Sequence, residues 1–456
     1  MYQKSYHIHF VGIGGIGMSG IAELLLNLGY RVSGSDAVAS DITENLKRLG
    51  GTIHVGHRPE HIEGADVVVM SSAIGKDNPE LVAARQASIP IIPRAEMLAE
   101  LMRLKFSVAV AGAHGKTSTT SLVAAVLAAG GFDPTVVIGG RLRSIGKNAV
   151  LGQGDFIVAE ADESDGSFLK YAPTIAVVTN IDREHLDFYR DMAHIQESFL
   201  QFIDRVPFYG LAVVCLDNEA IQDILPRIHK RLMTYGTNPQ ADFTARKIVF
   251  EGMRTRFQVD FRGKPVGEFL LNLPGKHNVT NATAAIAVGM ELGIGYEVLK
   301  DALRQVQGVQ RRLEIKGEAS GVTVVDDYGH HPTEIRTTLD TLRSCFSDRR
   351  AVVVFQPHRF TRTRALFDEF SRSFYLSDVL FVLPIYPAGE QPIEGVHSFD
   401  LVQSIQHHGH RNVRYVDQHA DAVNALRDVV REGDVVLTLG AGDVWKVGEL
   451  LLAALR

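Results

Sequence analysis

Short apolar runs alternate with longer amphipathic stretches along almost the whole chain. The runs Ile8–Val11, Val67–Met70, Ile89–Ile92, Val108–Ala111, Phe156–Ala159, Ile175–Val178, Ala351–Phe355, Val379–Leu383 and Val435–Leu439 are apolar at consecutive positions. Strands of a parallel sheet covered by helices on both faces have this pattern. Helical periods follow many of them: one running through Leu28, one beginning at Ala95, one through Ala129, and Val279–Leu292 and Tyr296–Val306. The alternation predicts α/β units. Between Phe243 and Leu273 the rhythm changes to polar–apolar alternation with a turn at Arg262-Gly263-Lys264, which predicts antiparallel hairpins.

Two breaks divide the chain. A fresh strand begins after Arg103–Ser107, and a glycine-punctuated segment, Arg312–Gly321, follows the helix ending at Val306. The expected domains are residues 1–105, 106–314 and 315–456, in line with a length of 456 residues at roughly 150 per domain. The expected fold class is α/β in three domains: a Rossmann-like N-terminal domain, a central P-loop ATPase domain carrying the antiparallel hairpins, and a Rossmann-like C-terminal domain.

Composition narrows the function. A net charge of −6 argues against a protein that grips nucleic acid through bulk positive charge. Only two cysteines occur, Cys215 and Cys345, far apart, so no disulfide framework or Cys-x-x-Cys metal site is expected. No apolar run approaches the ~18 residues that span a bilayer, and the first residues lack the apolar core of a signal peptide. A cytoplasmic protein without membrane insertion is expected.

Glycine is more abundant than usual, at 42 residues, and much of the excess falls in two motifs. Gly12-Ile-Gly14-Gly15-Ile-Gly17 directly follows a strand and opens a helix, and Asp36 follows a second short strand, Arg31–Ser33. Bare glycines let backbone N–H groups approach a diphosphate at a helix N-terminus, and an acid at this distance meets a ribose in Rossmann folds. Gly112-Ala113-His114-Gly115-Lys116-Thr117-Ser118 lies between another strand and helix. Here the lysine reaches the β- and γ-phosphates and a hydroxyl ligates Mg²⁺. Two phosphate sites favour a reaction between a nucleotide-carried substrate and ATP.

Acids and histidines cluster at strand ends. Glu160 is read as the first residue past Phe156–Ala159, where a P-loop enzyme holds Mg²⁺. Asp162, Glu163 and Asp165 belong either to that site or to a solvated loop. Thr179-Asn180-Ile-Asp182-Arg-Glu184-His185-Leu-Asp187 ends another strand, and His185 is the candidate for a second metal or the phosphates. Asn278 is read as the cap of the helix that follows it. Arg311-Arg312, Asp326-Asp327-Tyr328-Gly329-His330-His331-Pro332 and the segment bearing His358, Arg359, Arg362 and Arg364 fall where ligands bind between domains and past a parallel strand.

Together, Gly112-Ala-His-Gly-Lys-Thr, Glu160-Ala-Asp-Glu-Ser-Asp, Glu184-His-Leu-Asp187, His277-Asn278 and Asp327-Tyr-Gly-His-His-Pro resemble the Mur ligases, ATP-dependent amide-forming enzymes of peptidoglycan synthesis. The resemblance runs over essentially the whole chain, with the motifs in family order. The opening Phe10–Gly20 and Arg94-Ala-Glu-Met-Leu98 resemble the member that joins L-alanine to UDP-N-acetylmuramate.

By resemblance, the cofactors are ATP and Mg²⁺ in two sites, with Mn²⁺ as a substitute. Lys116, His185, Arg359 and His331 would be catalytic. Gly112, Ala113, His114, Gly115, Lys116, Thr117, Ser118, His277, Asn278, Arg312 and Asp327 would bind ATP. Gly12, Gly14, Gly15, Gly17, Asp36 and His114 would meet the UDP-sugar, and His331, Arg359 and Arg362 the amino acid. Thr117, Glu160 and His185 would ligate metal. The substrates would be small molecules, the assembly a monomer or homodimer. Ala113 and Ser118 stand where the family has threonines, and no lysine lies between Lys170 and Lys230, so the carbamylated lysine of several relatives is not expected. The alternatives are a ligase that attaches a preformed tripeptide to the same UDP-sugar, a nicotinamide-dependent oxidoreductase built on Gly12–Gly17, and a non-catalytic nucleotide sensor. The last two leave most of these motifs without a role.

Overall fold

The computed structural model describes residues 5–71, 73–138, 149–186 and 188–456, so Asp187 lies outside the described residues. Among the described residues there are three sheets. The first is wholly parallel, in the spatial order Thr52–Val55, Arg31–Asp36, His7–Val11, Val67–Met70, Ile91–Pro93. The order reverses at His7–Val11, which puts the loop from Gly12 at the switch point where open α/β sheets bind ligands. This sheet also carries a buried polar network. Ser33 Oγ lies 2.7 Å from both His7 Nε2 and His9 Nδ1, and the fully buried Glu80 accepts a hydrogen bond from Ser35 Oγ at 2.5 Å. Imidazole nitrogens of His61 and His57 lie 2.7 and 3.1 Å from the same carboxylate.

The second sheet has ten strands. Six parallel strands form its middle, in the order Leu232–Gly236, Leu211–Cys215, Ile175–Val178, Phe106–Ala111, Phe156–Glu160, Thr135–Val137, with Ala149–Val150 antiparallel at the far edge. On the other side come Phe243–Glu251, Arg254–Phe261 and Lys264–Leu271, antiparallel to one another as the alternating pattern predicted. The third sheet runs Glu314–Ala319, Val322–Asp327, Val435–Leu439, Ala351–Phe355, Val379–Val382, Val413–Tyr415, and only the first of these is antiparallel.

Several expectations are corrected. Arg31–Ser33 continues to Asp36, so Asp36 closes the strand, and Glu160 is likewise the last residue of its strand. The Ile89–Ile92 run pairs only from Ile91, ending at Pro93, which can occupy an edge strand. Val322–Asp327 was hidden by its two terminal aspartates, yet all six residues are buried.

The central and C-terminal parts touch through their strand-end loops. Thr333 Oγ1 donates to Asp182 Oδ2 at 2.8 Å, and Arg362 Nη2 to Glu184 Oε1 at 3.2 Å. The first sheet's helix Arg94–Met102 meets the central part through Lys170 and Glu96, 2.7 Å apart. Among the described residues no helix is long and apolar enough to cross a membrane.

Candidate active site

The first glycine loop is held by the strand beside it. Gly12 and Ile13 donate to the Ser35 carbonyl at 2.9 and 3.0 Å, and Gly14 donates to Asp36 Oδ2 at 2.8 Å. Asp36, expected at a ribose, is thus placed against the loop itself. The helix Ile16–Asn27 starts from Gly15 with no side-chain cap and no acid in its first turn, an arrangement that suits an anion. At Gly17 a Cβ would lie 3.1 Å from Arg94 Cδ, so glycine keeps room for that side chain.

The second loop is latched from the end of the neighbouring strand in the sheet, Ile175–Val178. His114 N–H donates to Asn180 Oδ1 at 2.9 Å and Ala113 N–H to the Asn180 carbonyl at 3.2 Å. Thr179 Oγ1 and Asn180 Nδ2 both donate to the His114 carbonyl, at 2.6 and 2.9 Å. The approach is so close at Gly112, φ 137°, that a Cβ would fall 2.0 Å from Thr179 Oγ1. Gly115, φ 80°, opens the helix Lys116–Ala129, which carries Thr117 and Ser118 in its first turn. Lys116 Nζ donates to the Gly112 and Ala113 carbonyls at 2.6 and 3.2 Å and to Glu163 Oε1 at 2.9 Å.

Glu163, left open in sequence between the metal site and a solvated loop, is buried against Lys116, and His185 Nε2 lies 3.6 Å from it. Burial pushes its carboxyl up to about 7 in spite of the lysine. Desolvation works against ionisation of Glu184 too, but the surrounding His114, His330, His185 and Arg362 hold it down at about 2. His185 sits at φ 55°, a strained setting for a side chain other than glycine. Burial lowers its pKa, keeping the ring neutral.

His114 joins the two halves of the site. Its Nε2 lies 2.9 Å from Asp182 Oδ2, its Nδ1 3.5 Å from Glu334 Oε1, and its ring 4.9 Å from that of His331. Burial opposes protonation, but the two carboxylates outweigh it and raise the imidazole to about 10. Glu334 also accepts the His330 N–H at 2.9 Å. Asp182 and Glu334 are thus site residues that the motifs did not single out, and Glu184, quoted within its motif, had been given no role. Glu334 has a local signal, since it completes a capping box with His331 at the start of the helix Pro332–Cys345.

A cavity of about 240 Å³ lies between the two halves, lined among others by His114, Ser118, His277, Asn278, Arg312 and Asp327. Asp327 organises its wall, accepting from Leu313 N–H and Gly329 N–H, both at 2.8 Å. Asn278 does not cap its helix: Gly275 is the N-cap of Lys276–Glu291, and Asn278 Nδ2 reaches back to the Pro274 carbonyl at 2.7 Å. A second cavity of about 200 Å³ is walled by Arg183, Glu184, His185, Arg359, Arg362 and Arg364. It is rich in guanidinium groups, a match for a carboxylate or phosphate.

Among the described residues two side-chain groups have the spacing to hold a metal ion: Glu163, Glu184 and His185, and His114, Asp182 and His331, each with donor atoms within 4.8 Å of one another. The first offers two carboxylates beside the P-loop lysine and fits a hard cation such as Mg²⁺. The second offers one carboxylate between two imidazoles, and its His114 is already engaged by Asp182 and Glu334. Glu160, in register with Val110, ends the strand next to the P-loop strand.

The sequence matches the Mur ligase family catalytic domain over residues 7–106, the Mur ligase middle domain over 110–289 and the Mur ligase glutamate ligase domain over 311–442. It is 64% identical to a UDP-N-acetylmuramate–L-alanine ligase of Desulfosudis oleivorans, with 99% of each chain covered. Identity to the protein of that name from Desulfatibacillum aliphaticivorans is 62% over the whole of both chains. Among solved structures, the UDP-N-acetylmuramate–alanine ligase of Thermotoga maritima superposes with a TM-score of 0.81 at 30% identity, covering 98% of each chain. A murein peptide ligase from Psychrobacter arcticus superposes with a TM-score of 0.71 at 26% identity, covering 99% of each.

Proposed function

The chain belongs to the Mur ligase family, and from that premise we propose that it joins L-alanine to the lactyl carboxylate of UDP-N-acetylmuramate, converting ATP to ADP and phosphate, in peptidoglycan precursor synthesis. The observation that carries this reading is a chain of polar contacts linking the P-loop to the arginine-walled cavity. It runs from Lys116 to Glu163 at 2.9 Å, from Glu163 to His185 at 3.6 Å, from His185 to Glu184 at 3.9 Å and from Glu184 to Arg362 at 3.2 Å. A phosphate-handling loop and a carboxylate-recognising pocket therefore share one wall, as a ligase that phosphorylates one substrate and admits an amino acid beside it requires.

In this reading, residues 1–105 hold the UDP-sugar through Gly12, Gly14, Gly15 and Gly17, residues 106–314 hold ATP, and residues 315–456 close over both with the amino acid. The lactyl carboxylate attacks the γ-phosphorus and ADP departs, leaving an acyl phosphate. The alanine amine then adds to the acyl carbon, and the tetrahedral intermediate expels phosphate to leave the amide. Lys116 sets a fixed positive charge where γ-phosphoryl charge develops, and pre-set charge of this kind dominates phosphoryl transfer. His114, a cation between Asp182 and Glu334, stands at the junction of P-loop and acyl group. Arg359, Arg362 and His331 hold the amino acid, and contact between the central and C-terminal parts excludes water from the acyl phosphate. Thr117 and Glu160 would hold one Mg²⁺ and His185, grouped with Glu163 and Glu184, a second, and both would neutralise phosphate oxygens when bound. ATP and a UDP-sugar as substrates imply a cytoplasmic location.

Phosphate release, followed with ATP, Mg²⁺ and UDP-N-acetylmuramate against L-alanine, glycine, L-serine and a tripeptide, tests the reading. Release that requires the UDP-sugar and L-alanine together is the expected result. Release driven by the tripeptide alone, or without the UDP-sugar, would refute it.

A further inference from the structure

The linker into the third sheet passes through Arg311, Arg312 and Leu313. Arg311 at φ 58° and Leu313 at φ 44° both occupy the left-handed region, which side chains other than glycine adopt only under restraint. The restraints are explicit. The Arg311 guanidinium donates from Nε to Asp326 Oδ2 at 2.9 Å, from Nη1 to the Gly442 carbonyl at 3.1 Å and from Nη2 to the Gly440 carbonyl at 2.6 Å. Its backbone N–H donates to Glu314 Oε2, and its carbonyl accepts the Tyr328 N–H, both at 2.8 Å. Leu313 N–H is held by Asp327 Oδ2 at 2.8 Å. With both neighbours fixed, Arg312 is directed into the nucleotide cavity, 3.5 Å from Glu334 Oε1. Both guanidinium groups lie over the Tyr328 ring, at 4.9 and 5.5 Å from its centroid.

The loop that Arg311 grips packs against the segment that leads to Arg359. A Cβ at Gly442 would fall 2.3 Å from Gln356 Oε1 and 2.8 Å from Tyr386 Cγ, so that loop packs directly on both side chains. Tyr386 stacks on His358 at 5.6 Å, and its carbonyl accepts the Arg359 N–H at 2.9 Å. The half-buried Arg311 side chain thus connects the strained linker to the Gly440–Gly442 loop, and through Tyr386 to the backbone of Arg359.

We propose that Arg311 is a positioning residue that sets Arg312 in the nucleotide cavity and, through Gly440 and Gly442, couples that setting to the amino-acid cavity. The proposal rests on the assignment of Arg312 to ATP made above. A lysine would keep the charge opposite Asp326 but lacks the planar fork that reaches both carbonyls.

A double-mutant cycle on the full chain tests it, with R311K, R312A and R311K/R312A read for KM of ATP, KM of L-alanine, kcat and thermal midpoint. R311K is expected to raise both KM values roughly tenfold. In the R312A background, R311K should add less than about twofold to KM of ATP while still raising KM of L-alanine. Factors in KM of ATP that simply multiply in the double mutant, or an R311K enzyme with both KM values unchanged, would overturn the proposal alone. An R312A enzyme with unchanged KM of ATP would refute the ATP assignment, and the proposal with it. Should R311K fail to fold, D326N removes the charge opposite Nε while leaving Arg311 in place. It should show the same non-additivity with R312A, and its absence would overturn the proposal.

Discussion

The loops Gly12–Gly15 and Gly112–Gly115 each follow a central parallel strand and open a helix, yet they are supported in different ways. The first leans on its neighbouring strand through the Ser35 carbonyl and the Asp36 carboxylate. The second is latched by Thr179 and Asn180, which begin the segment that carries Asp182 and Glu184 to the C-terminal part. It also carries a lysine, which the first lacks. A loop braced within its own sheet can bind a ligand as a fixed anchor. A loop braced by the interdomain segment is placed to register whether the third part is in position. Damage to the first should therefore alter UDP-sugar binding alone, and damage to the second should alter turnover.

The strongest test of that contrast is Lys116→Ala. It should lower kcat roughly a thousandfold while leaving the UDP-sugar dissociation constant, read by calorimetry, within about twofold. Equal loss of both would mean that the loops do not divide the work. Gly112→Ala comes next: a Cβ 2.0 Å from Thr179 Oγ1 cannot be accommodated without moving the latch. The expected cost is about 3 kcal/mol of stability, with loss of turnover, measurable by thermal unfolding and phosphate release. Gly14→Ala places a Cβ 2.8 Å from Asp36 Oδ2 and should raise the UDP-sugar KM roughly tenfold with kcat intact. A fall in kcat instead would blur the distinction. Gly15→Ala, where the nearest atom is 3.5 Å away, should change either parameter by less than about twofold.

The buried network behind the first loop adds a pH signature. Burial alone would raise the Glu80 carboxyl, but His9, Ser35 and His61 hold it down at about 2, against an ordinary 4.5. A carboxylate whose pKa is lower folded than unfolded stabilises above its unfolded pKa, and that contribution fades as pH falls through the folded one. The stability gap between wild type and Glu80→Gln should be full above about pH 4.5 and close toward about pH 2. A gap independent of pH, in denaturant titrations at several pH values, would assign the network to packing alone.

Much of the architecture could be read in the amino-acid sequence because parallel strands announce themselves as uninterrupted apolar runs. Val67–Met70, Ile175–Val178, Ala351–Phe355 and Val435–Leu439 have the expected bounds. Val322–Asp327 escaped because its last two residues are buried aspartates serving the site. Both glycine loops were visible for a related reason: their geometry is written into consecutive residues. Glu163, Asp182 and Glu334 were not, since a carboxylate's role depends on a partner brought by the fold. Asp182 meets Thr333, 151 positions away. Glu80 was hidden for the same reason, its histidines arriving from a strand and a separate short turn.

The central claim is that ATP activates the sugar's own carboxylate, and it can be tested by labelling that carboxylate with heavy oxygen. One carboxylate oxygen becomes the bridge of the acyl phosphate and leaves with the phosphorus when the amine displaces it, while the other stays in the amide. The account predicts one heavy oxygen in each phosphate released alongside amide product. Unlabelled phosphate accompanying the same amide would contradict it.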